Sequence, residues 1–154
     1  MYKMLWGILQ RMNILHVEDN RADSDLLKEA FECIGIEATV QVTHDAKQAL
    51  IGLEENLRKE GATSPDLIVL DLNLPKMDGR ELLKKLKEHP QLRRIPVVIL
   101  STSNLEQDIS YCYDNHCNSY IVKPIRFEEY KRVAKNILEY WFSTVALPPY
   151  SANN

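Results

Sequence analysis

The residues able to do chemistry in this sequence follow short apolar stretches. Glu18 and Asp19 come after the stretch 13–17, Asp71 after 66–70, Ser101 and Thr102 after 95–100, and Lys123 after 119–122. Carboxylates gathered within a few ångströms repel by roughly 4 kcal/mol per close pair at intermediate dielectric, so keeping Glu18, Asp19 and Asp71 ionised together calls for a cation. A hard divalent ion suits oxygen donors. Mg²⁺ fits best, because it takes few carboxylates, retains waters and leaves positions open for phosphoryl oxygens. The amine and the hydroxyls then suit an anion arriving on the metal, with Asp71 as nucleophile or ligand. Singly these residues carry little: Glu18 and Asp19 read as a helix-capping pair, Lys123 as a solvated lysine. Their joint occurrence at four strand ends gives the pattern its weight.

Those ends must be assembled by the rest of the chain. Apolar segments at 13–17, 38–42, 66–70, 95–100 and 119–122 alternate with helical periodicity, the mark of parallel strands joined by crossover helices. The third and fourth are continuous runs of Val, Ile and Leu, which implies a sheet covered on both faces. The first helix is expected after Asn20 as N-cap, burying Ala22, Leu26, Ala30 and Ile34 and ending at Gly35. The second carries Ala46, Ala49, Leu50, Leu53 and Leu57 and stops at Gly61. The third opens at Asp78-Gly79, buries Leu82, Leu83 and Leu86, and ends before Pro90. The fourth begins near Asn104 and includes Leu105, Ile109 and Cys112; the fifth spans 127–142. In an open α/β sheet of this kind ligands bind beyond the carboxyl ends of the strands, where Glu18, Asp19, Asp71, Ser101 and Lys123 stand.

The 154 residues suffice for one domain, and 45% apolar with 27% charged residues is the composition of a folded globular chain. A formal charge of −3 supplies no general attraction for phosphate backbones, so nucleic acid is not an expected partner. The longest apolar runs, 67–70 and 97–100, are four residues each, far below a membrane span, and the N-terminus lacks a secretory core. Cys33, Cys112 and Cys117 cannot make a disulfide framework, which points to the cytoplasm. Cys112, His116 and Cys117 lack the paired spacing of a zinc site and read as buried thiols near a helix end.

Four pieces carry a resemblance: His16-Val17-Glu18-Asp19-Asn20, the run 65–79 centred on Leu70-Asp71-Leu72, the strand 96–101, and Tyr120-Ile121-Val122-Lys123-Pro124. Together they resemble the receiver domain of two-component response regulators over residues 12–142. The resemblance implies a flavodoxin-like (βα)5 doubly wound parallel sheet with strand order 2-1-3-4-5. It implies Asp71 as phosphoacceptor for a histidine kinase, Glu18 and Asp19 as the acidic pair holding Mg²⁺, and Asn73 offering its backbone carbonyl to the metal. Ser101 stands at the switch position, more often threonine in the family, with Thr102 beside it. Tyr120 stands at the aromatic switch and Lys123 at the lysine that pairs with the phosphoryl group; Lys123-Pro124 resembles the family's cis peptide. A narrower likeness lies in Arg21-Ala22-Asp23-Ser24, the loop 73–81, the segment 90–96 and the ending 141–148. These resemble stand-alone regulators paired with phytochrome histidine kinases, which implies a red-light-sensing kinase upstream and output to a downstream protein through the surface of helix four, strand five and helix five.

Two rival readings fit less well. Asp71-Leu72-Asn73 resembles the Asp-x-Asp pair of Mg²⁺-dependent phosphohydrolases, but Asn73 cannot exchange a proton as the second aspartate must. An FMN carrier would need a phosphate-cradling loop where Glu18-Asp19-Asn20-Arg21 stands. A phosphorelay receiver for a non-phytochrome kinase remains the nearest alternative. Residues 1–11 form an arm without periodicity, expected to be dispensable for folding, and 143–154 form a C-terminal tail. On the fifth helix an apolar arc of about 200° exceeds what one core contact needs. The arc predicts a homodimer through Tyr130, Ile137, Leu138, Trp141 and Phe142, unless the tail folds back over it.

Overall fold

The structure, a computed structural model, describes residues 12–35 and 38–149, so the arm 1–11 and the last residues of the tail lie outside the described residues. Five parallel strands, β1 (Met12–Val17), β2 (Ala38–Thr43), β3 (Leu67–Leu70), β4 (Val97–Ser101) and β5 (Ser119–Val122), form one sheet in the order β2-β1-β3-β4-β5. The expected order and alternation therefore hold. Helices α1 (Arg21–Cys33), α2 (Ala46–Arg58), α3 (Gly79–Glu88), α4 (Glu106–Asp114) and α5 (Phe127–Leu138) cover it. One apolar cluster joins the sheet to α2, α3 and α4, and another joins it to α1 and α5.

All four residues of the central strand β3 are fully buried. At about 2 kcal/mol for each large apolar side chain withdrawn from water, this strand is the firmest support in the sheet, and Asp71 leaves directly from its end. The backbone N–H of Asp71 donates to the Val17 carbonyl (3.0 Å) and that of Glu18 to Thr43 (3.0 Å), so the pairing of β3 with β1 and β1 with β2 sets both carboxylates. Met12 belongs to β1, is wholly buried and pairs with Ala38, so a core starting at Met12 needs that side chain.

The expected helix starts at Asn20 and Asp78 hold, and Asp45 opens α2; each of the three caps its helix by accepting a backbone N–H. Gly79 is required by close approach, since a Cβ there would run into the Asp71 carbonyl oxygen and Leu72 Cα, while its N–H donates to the Leu72 carbonyl (2.9 Å).

Several details differ from the periodicity. The buried face of α1 is Ser24, Leu27, Ala30 and Phe31, with Ala22 exposed, because Ser24 returns its hydroxyl to the Arg21 carbonyl (2.9 Å) and can be buried without an unmet bond. In α4 the inward residues are Asp108 and Cys112, whereas Leu105 precedes the helix and is exposed. Regular α-helix ends at Leu138, and the chain continues to Thr144 in wider turns, with the Val145 N–H reaching the Tyr140 carbonyl (3.0 Å). The expected cis bond at Lys123-Pro124 is absent; the peptide is trans, the intrinsically favoured state of an X-Pro bond.

The apolar arc of α5 also needs correction. Tyr130, Ile137 and Leu138 are 3%, 3% and 0% exposed within this one chain, packed in the cluster formed with α1, β1, β3 and β4. They face the chain's own core and are not free to meet a second copy. Trp141 and Phe142 pack only partly against that cluster. The described part of the tail, to Pro149, leads away from α5: Leu147, Pro148 and Pro149 line a cavity of about 110 Å³ with Leu57, Pro65 and Ile95. The reason is directional. A crossover helix runs antiparallel to the strands, so α5 delivers the tail to the strand ends opposite Asp71.

Candidate functional site

The carboxyl ends of the strands bring Glu18, Asp19, Asp71, Ser101 and Lys123 together, with Thr102 exposed beside them. Glu18 is wholly buried and Asp71 is 4% exposed, while Asp19 faces solvent. One oxygen from each of these three carboxylates lies within 4.8 Å of the others, the only such ligand group among the described residues. An all-oxygen donor set with one exposed member fits a hydrated Mg²⁺, so the residues present suit the metal expected from the sequence.

Lys123 Nζ sits among the acids. It donates to Glu18 Oε1 and Oε2 (3.0 Å each), Asp71 Oδ2 (3.2 Å) and Asp23 Oδ2 (2.8 Å). An ammonium has three donors, and here Glu18, Asp23 and Asp71 use them all. The side chain is 5% exposed. Burial alone would lower the lysine's pKa, but bonds to Asp23 and Glu18 and the charge of Asp71 outweigh it and raise the pKa. Glu18 is pushed upward by burial and by Asp71, with Lys123 opposing. Four carboxylates against one ammonium leave the metal-free site overcharged, and Glu18, the most buried, bears the strain.

Asp23, in the first turn of α1, is the member that sequence reasoning missed; it stood only within a family phrase. An acid in a first helical turn ordinarily complements the helix dipole, and nothing in its spacing shows that the Lys123 ammonium reaches it. Asn73 meets Asp71 through its N–H to Oδ1 (3.4 Å). His44 Nδ1 lies 2.7 Å from the Glu18 carbonyl oxygen, holding the turn after β1. His16 is buried beneath the site with neither ring nitrogen hydrogen-bonded, and burial lowers its pKa to about 3, so it is a neutral packing residue.

Ser101 is fully buried and accepts from the Ser103 N–H (3.2 Å). Tyr120 is turned in, half-buried, with its hydroxyl donating to the Ser103 carbonyl (2.8 Å). Cys112 and Cys117 are buried with thiol pKa values raised to about 12 and about 11 by burial, as inert packing thiols should be.

The comparisons with known proteins agree with this geometry. The profile of the response regulator receiver domain matches residues 14–135. The probable methanogenesis regulatory protein FilR2 of Methanothrix harundinacea is 45% identical over 129 residues, covering 83% of this chain and 82% of its own. Response regulator Rcp1 of Synechocystis sp. is 40% identical over 135 residues, covering 88% and 92%. Its Mn²⁺-bound crystal structure matches with a TM-score of 0.80 over 90% of this chain and 99% of that one. The crystal structure of the phosphorylated cyanobacterial phytochrome response regulator RcpA matches with 44% identity and a TM-score of 0.83, covering 91% and 100%. With its five-stranded order, its acidic cluster at the strand ends and a matched profile over most of its length, the chain belongs to the response regulator receiver domain family.

Proposed function

We propose that the protein accepts a phosphoryl group from the phosphohistidine of a histidine kinase onto Asp71 and passes the signal on through its surface. The observation that carries this reading is the placement of Lys123 Nζ against Asp71 and Glu18, beside a three-carboxylate cluster fit for Mg²⁺. In the transfer an Asp71 carboxylate oxygen forms the new bond to phosphorus while the P–N bond to the histidine breaks, and the imidazole leaves. Mg²⁺, held by Glu18, Asp19 and Asp71 with the Asn73 carbonyl, would neutralise charge on the phosphoryl oxygens. Lys123 pairs with the same oxygens, Ser101 donates to one of them, and catalysis is positioning plus electrostatics. The only reaction required is the protein's own phosphorylation and dephosphorylation.

Similarity to RcpA, a cyanobacterial phytochrome response regulator, supports a phytochrome kinase as the donor, and a cytoplasmic setting is part of the same reading. The 45% identity to FilR2 supports a second reading, a receiver served by a kinase of another input class. Phosphotransfer profiling against phytochrome and non-phytochrome kinases decides between them: rapid labelling by the phytochrome kinase alone is expected, and preference for another kinase would replace that partner. A homodimer remains part of the reading on a smaller patch at the end of α5, Trp141 and Phe142 with exposed Tyr140. A monomer by sedimentation at about tens of micromolar, phosphorylated or not, would remove it.

A further inference from the structure

Ser103 joins the two switch residues to a second polar network. Its N–H donates to Ser101 Oγ (3.2 Å), its carbonyl accepts from Tyr120 (2.8 Å), and its hydroxyl donates to Asp108 Oδ2 (2.5 Å). Asp108, 8% exposed on α4, also accepts from Arg80 Nε (3.1 Å) and lies 2.6 Å from Arg80 Nη2. Asp78 fixes Arg80 in turn, accepting from its backbone N–H (2.7 Å) and from Nη1 (3.2 Å). Arg80 follows Gly79, which is pressed against the Asp71-Leu72 backbone. The network therefore runs from one side of Asp71 to the other.

The loop it holds is exposed at Thr102, Asn104 and Leu105, and within it the Ser103 hydroxyl also accepts from the Leu105 N–H (3.3 Å). Its conformation rests on the short bond to the ionised, Arg-paired Asp108, of the stronger charge-assisted kind. A serine hydroxyl has one donor and two acceptor sites. The Ser103 N–H fills an acceptor site of Ser101, whose hydroxyl also meets the Tyr120 hydroxyl, so the loop sets how Ser101 is oriented toward a phosphoryl oxygen. The same Ser103 carbonyl holds Tyr120 inward.

We propose that Asp108, braced by Arg80, is a positioning residue that presets the β4–α4 loop in its phosphoryl-receptive arrangement, with Ser103 aiming Ser101 and retaining Tyr120. The proposal rests on Asp71 being the phosphoacceptor. A variant in which only one loop in ten is receptive binds a phosphoryl mimic about tenfold more weakly.

The test is calorimetric titration of the full chain with beryllium fluoride in saturating Mg²⁺, alongside titration with Mg²⁺ alone. Asp108→Asn and Ser103→Ala should each weaken beryllium fluoride binding about tenfold and leave Mg²⁺ affinity unchanged, and the double variant should be no weaker than the worse single one. A lowered melting temperature with unchanged beryllium fluoride affinity would make Asp108 merely structural and overturn the proposal. Additive losses in the double variant would do the same. Should Asp108→Asn not fold, Ser103→Ala, which removes a single hydroxyl, decides alone. Failure of the wild type to bind beryllium fluoride would instead overturn the phosphoacceptor reading, and the proposal with it.

Discussion

Two polar clusters flank the end of β3, and they are built on opposite principles. Around Lys123, four acidic side chains, Glu18, Asp19, Asp23 and Asp71, crowd one ammonium, and the innermost acid is pushed toward its protonated form. Around Arg80, Asp78 and Asp108 are both hydrogen-bonded and Asp108 is held below the usual carboxylate range by Ser103 and Arg80. The first cluster is incomplete without further positive charge; the second is complete as it stands. A large excess of one charge at a strand end therefore marks a place for a ligand, whereas two carboxylates held by one arginine and a hydroxyl mark scaffolding.

The largest expected effect belongs to the overcharged cluster. Asp71→Asn should abolish phosphoryl transfer from a cognate kinase, read by intact-protein mass spectrometry; full labelling of that variant would show that the cluster is not the acceptor site. Next, Asp19→Asn should weaken Mg²⁺ binding by about tenfold or more, whereas Lys123→Ala should spare it and impair phosphotransfer. Equal Mg²⁺ affinities for wild type and Asp19→Asn, by calorimetry, would contradict the ligand role.

The contrast between the clusters can be measured directly as stability. Asp108→Asn removes the buried carboxylate that joins Arg80 to Ser103 and should cost about 2 kcal/mol in metal-free urea unfolding near neutral pH. Asp23→Asn relieves repulsion while Lys123 keeps Glu18 and Asp71, so its change should stay within about 1 kcal/mol. Equal losses would erase the distinction. Because the folded pKa of Asp108 is depressed, its contribution is present above the ordinary carboxylate value of 3.8 and is lost as pH falls through the folded pKa, so the gap to Asp108→Asn should close in acid.

The smallest effect concerns Glu18. Its folded pKa is raised, so the metal-free protein loses stability as pH climbs from the ordinary carboxylate range toward the raised value, and a cation that holds the ionised form offsets that loss. Mg²⁺ should therefore raise the melting temperature more at about pH 8 than at about pH 5. Equal shifts at the two pH values would mean that Glu18 is already ionised without metal.

The acidic pair, Asp71, Ser101 and Lys123 were legible in the sequence because each ends or follows a strand, and parallel strands deliver their ends to one edge of the sheet. Asp23, Asp78, Arg80 and Asp108 were not. Each lies at a helix N-terminus or in its first turn, where charge is common for reasons unrelated to a site, and their partners are 100 residues away for Asp23 and 28 residues away for Arg80 with Asp108. The α5 arc failed differently: periodicity measures how wide an apolar face is, but only the packing of α1 on α5 says that Tyr130, Ile137 and Leu138 are already covered.

What the sequence determined by itself is whatever depends on local order: the alternation of strands and helices, the helix starts at Asn20 and Asp78, and the chemical types at the strand ends. Backbone geometry links these to nearby residues, so type and spacing suffice. The tertiary structure alone decided which charges meet, because an ion pair or a buried hydroxyl is fixed by distances between elements that helix packing sets. Lys123 shared among three acids, Ser103 shared between Ser101, Tyr120 and a buried aspartate, and the tail to Pro149 sent to the far end of the sheet are all consequences of that packing.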